Sequence, residues 1–166
     1  MKKTGIVFAA ILMSVLWNSV SYAAKMEIEA VMSPKQQMKL EFADGSKHFV
    51  LLVRREGVAT GTGPLAGASV TEYGMHDIVR GVGGEPRGYL EMKASNGDIA
   101  YIKWQVSAVF VPGENGKPKL LDNGFWELVG GTGSFKGMKG AGALNIKPAS
   151  KTDRKFILKG EIVKQQ

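Results

Sequence analysis

The sequence predicts one all-β domain, a closed antiparallel β-barrel of about eight strands, behind an N-terminal signal peptide. Three observations predict it. Segments that alternate apolar and polar residues recur about every 8–12 residues, the rhythm of sandwiches and barrels. The 22 glycines and several turn dipeptides punctuate them. Beyond residue 23, no stretch of about twelve residues keeps a helical period, so no helix is available to cover a sheet. A sheet without a covering helix must protect its edges, and closure removes them.

The first element is the export segment. Met1, Lys2 and Lys3 are followed by an apolar run through Ile6, Val7, Phe8, Ile11, Leu12 and Val15. Ser21 and Ala23 then occupy the small-residue positions of a cleavage site. The run is shorter than the roughly 20 apolar residues of a membrane span. Residues 1–23 are therefore expected to be cleaved, leaving 24–166 as the barrel domain with no stable membrane anchor. The protein is expected outside the cytoplasm, in a periplasm or extracellular space.

The strands follow in order. Residues 25–31 alternate Met26, Ile28 and Ala30 against Glu27 and Glu29. Residues 36–43 alternate again, with Met38, Leu40 and Phe42 on one face. Asp44-Gly45 supplies a tight turn into 47–55, where Phe49, Leu51 and Val53 share a side. A glycine-rich link at 57–67 interrupts the pattern before 68–79, and a glycine-rich loop covers 80–87. Asn96-Gly97, between alternating runs at 88–95 and 98–111, is the strongest hairpin signal in the chain. After a polar turn at 112–118, shorter strands are expected at 124–129, 140–147 and 155–163.

Composition excludes more than it identifies. The chain has no cysteine, which rules out thiolate metal sites and disulfides. Its formal charge of +7 falls to about +5 once Lys2 and Lys3 leave, and the basic residues are dispersed. A solvated surface is the reading, with no nucleic-acid partner. His48 and His76 are the only histidines. His76 and Asp77 are neighbours on one strand and point to opposite faces, so they cannot act as a dyad. No metal site and no cofactor are expected. Gly131-Thr132-Gly133 lacks the strand-to-helix context of a nucleotide loop and is read as a barrel corner. The same G-T-G-x-x-x-G spacing occurs at Gly61-Thr62-Gly63 with Gly67, which suggests one corner device used twice.

The segment from Phe125 to Gly142, through Gly130-Gly131-Thr132-Gly133-Ser134-Phe135-Lys136-Gly137, resembles the closing region of the allene oxide cyclase and dirigent-like β-barrel superfamily. With the export segment, the chain looks like an exported bacterial member. The resemblance implies an eight-stranded barrel around a largely apolar cavity. Plant members it implies as relatives are isomerases or coupling guides for apolar oxygenated substrates, often trimeric. The matching residues are mostly glycines, so the resemblance carries no catalytic residue over, and the catalytic set stays unknown.

Function is read from polar residues inside strands. Arg54, Glu72, His76, Lys103 and Glu127 are the polar candidates for a ligand cavity bordered by Trp104 and Trp126. A small-ligand site combines a mainly apolar wall with a few orienting polar groups. Tyr101, Lys103 and Gln105 alternate with Ile102, Trp104 and Val106, and one set must face inward. The first reading is an exported barrel that binds a small apolar or amphipathic molecule. The alternatives are a cofactor-independent isomerase or cyclase of the allene oxide cyclase-like or dirigent-like type, and a structural or interaction barrel without a ligand. Homo-oligomerisation is left open.

Overall fold

The structure, a computed structural model, describes residues 23–164. The signal-peptide expectation, Ala23 apart, lies outside them. Nine strands occur: β1 (Ala23–Glu41), β2 (His48–Thr62), β3 (Ser69–Val79), β4 (Gly83–Gly84), β5 (Arg87–Lys93), β6 (Ile99–Pro112), β7 (Pro118–Gly131), β8 (Met138–Pro148) and β9 (Arg154–Lys164). Eight of them close into an antiparallel barrel. Each long strand pairs with the next, and β9 returns to β1 from Ala23↔Val163 to Met32↔Arg154. The two-residue β4 sits between β3 and β6 beyond the start of β5. The described residues contain two short 3-10 turns, Glu114–Gly116 and Gly133–Phe135, and no α-helix.

Three strands run further than their sequence suggests, among them β7, which starts at Pro118 where the alternation predicts a strand over 124–129. Residues 25–31 and 36–41 belong to one strand, β1, broken in register by a bulge between Pro34 and Gln36. The bulge inserts one residue and so reverses which parity faces inward. Met26, Ile28, Ala30 and Met32 are buried, whereas Met38 and Leu40 are exposed. Likewise β2 continues through the glycine-rich stretch to Thr62, because Gly57 and Gly61 lie against the β1 backbone, where a Cβ would collide with Val31 and Glu27 carbonyls. The hairpin at Asn96-Gly97 forms as expected, with Gly97 at φ +89°.

The lumen has two unlike ends. At one, the two G-T-G-x-x-x-G corners insert Leu65 and Phe135 at the same position of the motif, and both are buried. Gly63, Gly67, Gly133 and Gly137 all take positive φ there, a conformation that favours glycine. The apolar core continues through Met26, Met92, Ile102, Leu128, Leu158 and Ile162. Trp104 packs its indole over Gly88 and Trp126 over Gly160, each where a Cβ would meet ring carbon Cζ2. Trp104 also meets Phe156 edge-on, with ring centroids 5.5 Å apart. Beyond these rings, toward the 42–47 and 149–153 turns, the lumen becomes polar.

Candidate functional site

The polar end of the lumen is built from inward positions of four strands. On β2, Val53 and Arg55 point inward; on β3, Val70, Glu72, Gly74, His76 and Ile78 do so. Glu72 is fully buried and Arg55 nearly so. Arg55 Nη1 donates to Glu72 Oε2 at 2.7 Å. His76 Nε2 lies 3.2 Å from Arg55 Nη1 and 3.3 Å from Glu72 Oε1. When protonated, that nitrogen donates to the carboxylate; when bare, it accepts from the guanidinium. Gly74 makes the cluster possible. A Cβ there would collide with Glu72 Oε1 and stand 3.1 Å from His76 Nε2, so only glycine lets these two groups meet across it.

Asp122 of β7 and Arg154 of β9 complete the polar end. Asp122 sits across from Ala108 and Ile146, on the inward row that Trp126 and Leu128 continue. Burial pushes its carboxyl up to about 6, against the lowering pull of His76 and Arg154. Burial also lowers Arg154 from its ordinary value, and the Arg55 cation adds to that effect. Three buried polar atoms here have no hydrogen-bond partner among the described residues: Arg55 Nε, Trp104 Nε1 and Asp122 Oδ1. They come from three different strands. His76 lies beside two of these residues, hydrogen-bonded to Arg55 and 5.9 Å, ring to ring, from Trp104.

The barrel wall divides the seven residues proposed from sequence. Glu72, His76, Trp104 and Trp126 face the lumen. Trp126 lies deeper, its Nε1 donating to the Lys159 carbonyl at 3.2 Å. Arg54, Lys103 and Glu127 face outward: Arg54 is ion-paired with Glu56, and Lys103 stands across from Glu127 on the neighbouring strand. Exposed Tyr101 and Lys103 put the polar face of β6 in solvent, leaving Ala100, Ile102, Trp104 and Val106 inside. His48 is outward too, 2.5 Å from Asp77 and stacked on Phe42 at 4.0 Å. His76 and Asp77 thus take opposite faces.

Sequence reasoning missed Arg55, Asp122 and Arg154 as site residues. The signal was parity. Arg55 shares a face with Val53, Asp122 with Trp126 and Leu128, and Arg154 with Phe156 and Leu158. A groove of about 870 Å³ lies elsewhere, on the outer wall. Its rim carries Met38, Leu52, Tyr73, Tyr89, Arg54 and Lys103. It touches Trp104 and Gly74 but none of Glu72, His76 or Asp122, so it is not the polar end of the lumen.

The Gly131–Gly137 corner binds itself. Asp98 accepts from the Ser134 amide at 2.8 Å and from its hydroxyl at 2.7 Å. Those bonds hold the Asp98 carboxyl below its usual range. Thr132 Oγ1 accepts from the Ile99 amide at 2.9 Å. A carboxylate of the chain therefore takes the Ser134 amide and hydroxyl of this corner.

No family model and no curated protein matches the chain. Among solved structures, the chain is similar to a pterocarpan synthase dirigent protein, with a TM-score of 0.51 and 11% identity over 98% of this chain and 100% of that one. At that identity the likeness shows the fold, a closed dirigent-like barrel.

Proposed function

We propose that this barrel is an exported binding protein for a small amphipathic molecule, whose oxygen-bearing head enters the polar end of the lumen. The observation that carries the reading is that three buried polar atoms on inward-facing residues lack partners: Arg55 Nε, Trp104 Nε1 and Asp122 Oδ1. Leaving each unmatched costs about 1–3 kcal/mol. Two of them are donors and the third is a carboxyl oxygen, which a hydroxyl head matches by both accepting and donating, and a carboxylate head by accepting throughout once Asp122 is protonated. Arg55 and Arg154 balance Glu72 and Asp122 in formal charge. Asp122 titrates near 6, so protonation leaves a surplus of positive charge that favours an acidic head. The apolar part of such a molecule would lie against half-buried Phe110 and Leu120 at the mouth.

Trp104 reports occupancy because its indole N–H is one of the donors. Titration with decanoate, decanol and decylamine, followed by tryptophan fluorescence, is the test. Saturable change with decanoate or decanol, absent with decylamine, is expected, and calorimetry should show weaker binding of the same molecules to Trp104→Phe. No saturable response to any of the three favours a structural barrel without a ligand. Export is tested separately by the intact mass of secreted or periplasmic protein, which should lack residues 1–23.

A second reading rests on Asp122 alone. A carboxyl poised near 6 beside an arginine can hold and return a proton near neutral pH. That suits a cofactor-independent isomerase or cyclase of the allene oxide cyclase-like or dirigent-like type. A bound ligand recovered chemically changed by the wild type, and unchanged by Asp122→Asn, selects this reading over a carrier.

A further inference from the structure

The far half of β1 is a free sheet edge. β9 pairs with β1 only as far as Met32↔Arg154, whereas β2 pairs with it to Glu41↔Phe49. Past the bulge, β1 therefore has a neighbour on one side among the described residues. The Phe42 amide donates to the His48 carbonyl on β2 at 3.0 Å. Alternate residues of an antiparallel strand turn their backbone groups to the same neighbour. Phe42, Leu40 and Met38 are thus committed to β2, and the N–H and C=O groups of Glu41, Lys39 and Gln37 point out of the sheet edge. Exposed edges of this kind template pairing with another strand.

The side chains on that edge are self-complementary in one register. Met38, Leu40 and Phe42 line the outer face and are 67%, 59% and 40% exposed. Lys39 and Glu41 lie on the other face, ion-paired to each other, with Arg80 also on Glu41 at 3.1 Å. We propose that two copies of this chain pair edge to edge, antiparallel, through residues 37–42, the end of β1 and the residue after it, about a two-fold axis at Leu40. Leu40 then faces its own copy, Met38 faces Phe42 twice, and Lys39 faces Glu41 twice. The Lys39 and Glu41 positions are also the ones whose backbone groups are free, so side-chain and hydrogen-bond registers agree. An axis at Lys39 or Glu41 sets like charges against each other, which is destabilising. An axis at Met38 sets Leu40 against Gln36 and runs Phe42 into the bulge at Pro34.

A lone lysine on an edge normally guards it against pairing. Here Glu41, two residues on, lets the chain's own copy pass that guard while strangers are refused. The ribbon is short, so the dimer forms and dissociates with concentration. The inference is independent of the lumen reading, since it uses none of the lumen residues.

Sedimentation velocity of the purified protein, from micromolar to millimolar at low salt, tests it. The wild type should move from monomer to dimer. Lys39→Glu and Glu41→Lys should each weaken self-association by at least about tenfold, because each places like charges opposite one another. An equimolar mixture of these two variants should restore the dimer, since the two acidic side chains of one variant then meet the two lysines of the other. Hydrogen exchange on the wild type gives a readout free of substitutions. Amides of Lys39 and Glu41 should slow with concentration, while those of Met38 and Leu40 should not. A wild type that stays monomeric, assembles as trimers, or dimerises equally well with either single swap overturns the proposal. So does a mixture that fails to associate.

Discussion

Asp122→Asn should stabilise the protein at neutral pH and leave it unchanged in acid. Burial raises the carboxyl from 3.8 to about 6, so the folded state holds its proton more tightly than the unfolded chain does. The penalty is therefore absent below about pH 4, grows as pH rises toward 6, and is constant above that. Two pH units correspond to about 3 kcal/mol, and partial solvent access at the mouth cuts this to about 1.5 kcal/mol. Asparagine keeps the shape and carries no charge to desolvate. At about 3–4 °C per kcal/mol, the variant should melt about 5 °C above wild type at pH 8 and level with it at pH 4. Thermal unfolding across that range is the assay. A variant no more stable than wild type at pH 8, or a gain that does not change between pH 4 and 8, would refute the assignment of Asp122 as a buried, poorly matched acid.

Gly74→Ala should cost about 1–3 kcal/mol in chemical denaturation, because its Cβ would drive Glu72 away from His76; an unaffected midpoint would show that the cluster does not close over Gly74. Phe135→Ala should cost about 3–5 kcal/mol, as expected for emptying the closed end of the barrel, and Leu65→Ala about 2–5 kcal/mol. Losses under about 1 kcal/mol at both positions would mean that neither corner is a plug. Asp98→Ala should lower the melting temperature at neutral pH. Hydrogen bonds from Ser134 depress that carboxyl, so the gap should close as pH falls below the ordinary carboxylate range. A gap that is constant down to strong acid would remove Asp98 as the tie between the two turns.

The barrel was legible because period-two alternation and turn residues are local. Asn96-Gly97 and the paired glycine corners lie where their chemistry requires them. Parity within a long strand was not. Met26 and Met38 are both even-numbered and both follow an alternating pattern, yet one is 2% exposed and the other 67%. The bulge at Pro34 decides that, and nothing in the alternation announces it. Three of the seven candidate site residues face outward for a related reason. Arg54 and Arg55 are adjacent and chemically alike, and only the neighbouring register says which one enters the lumen. Asp122 and Arg154 are far apart in sequence and meet only because β7, β8 and β9 close the wall between them.

The asymmetry of the lumen connects stability to the site. A buried ion pair is a weak source of stability, because desolvating both charges offsets much of their attraction. Arg55 and Glu72 therefore do not explain why the barrel holds together. That task falls to the closed end, where Leu65, Phe135, Met26, Leu128 and Ile162 are removed from water, each contributing about 1.5–3 kcal/mol. A barrel shaped only by folding would continue that apolar filling to the other mouth. This one instead gives inward positions on β2, β3, β7 and β9 to ionisable groups and deletes a side chain at Gly74 so that two of them can meet. Local choices that lower stability mark functional sites more often than structural ones. On that reasoning the polar end of the lumen, rather than the groove outside it, is where the activity of this protein is to be sought.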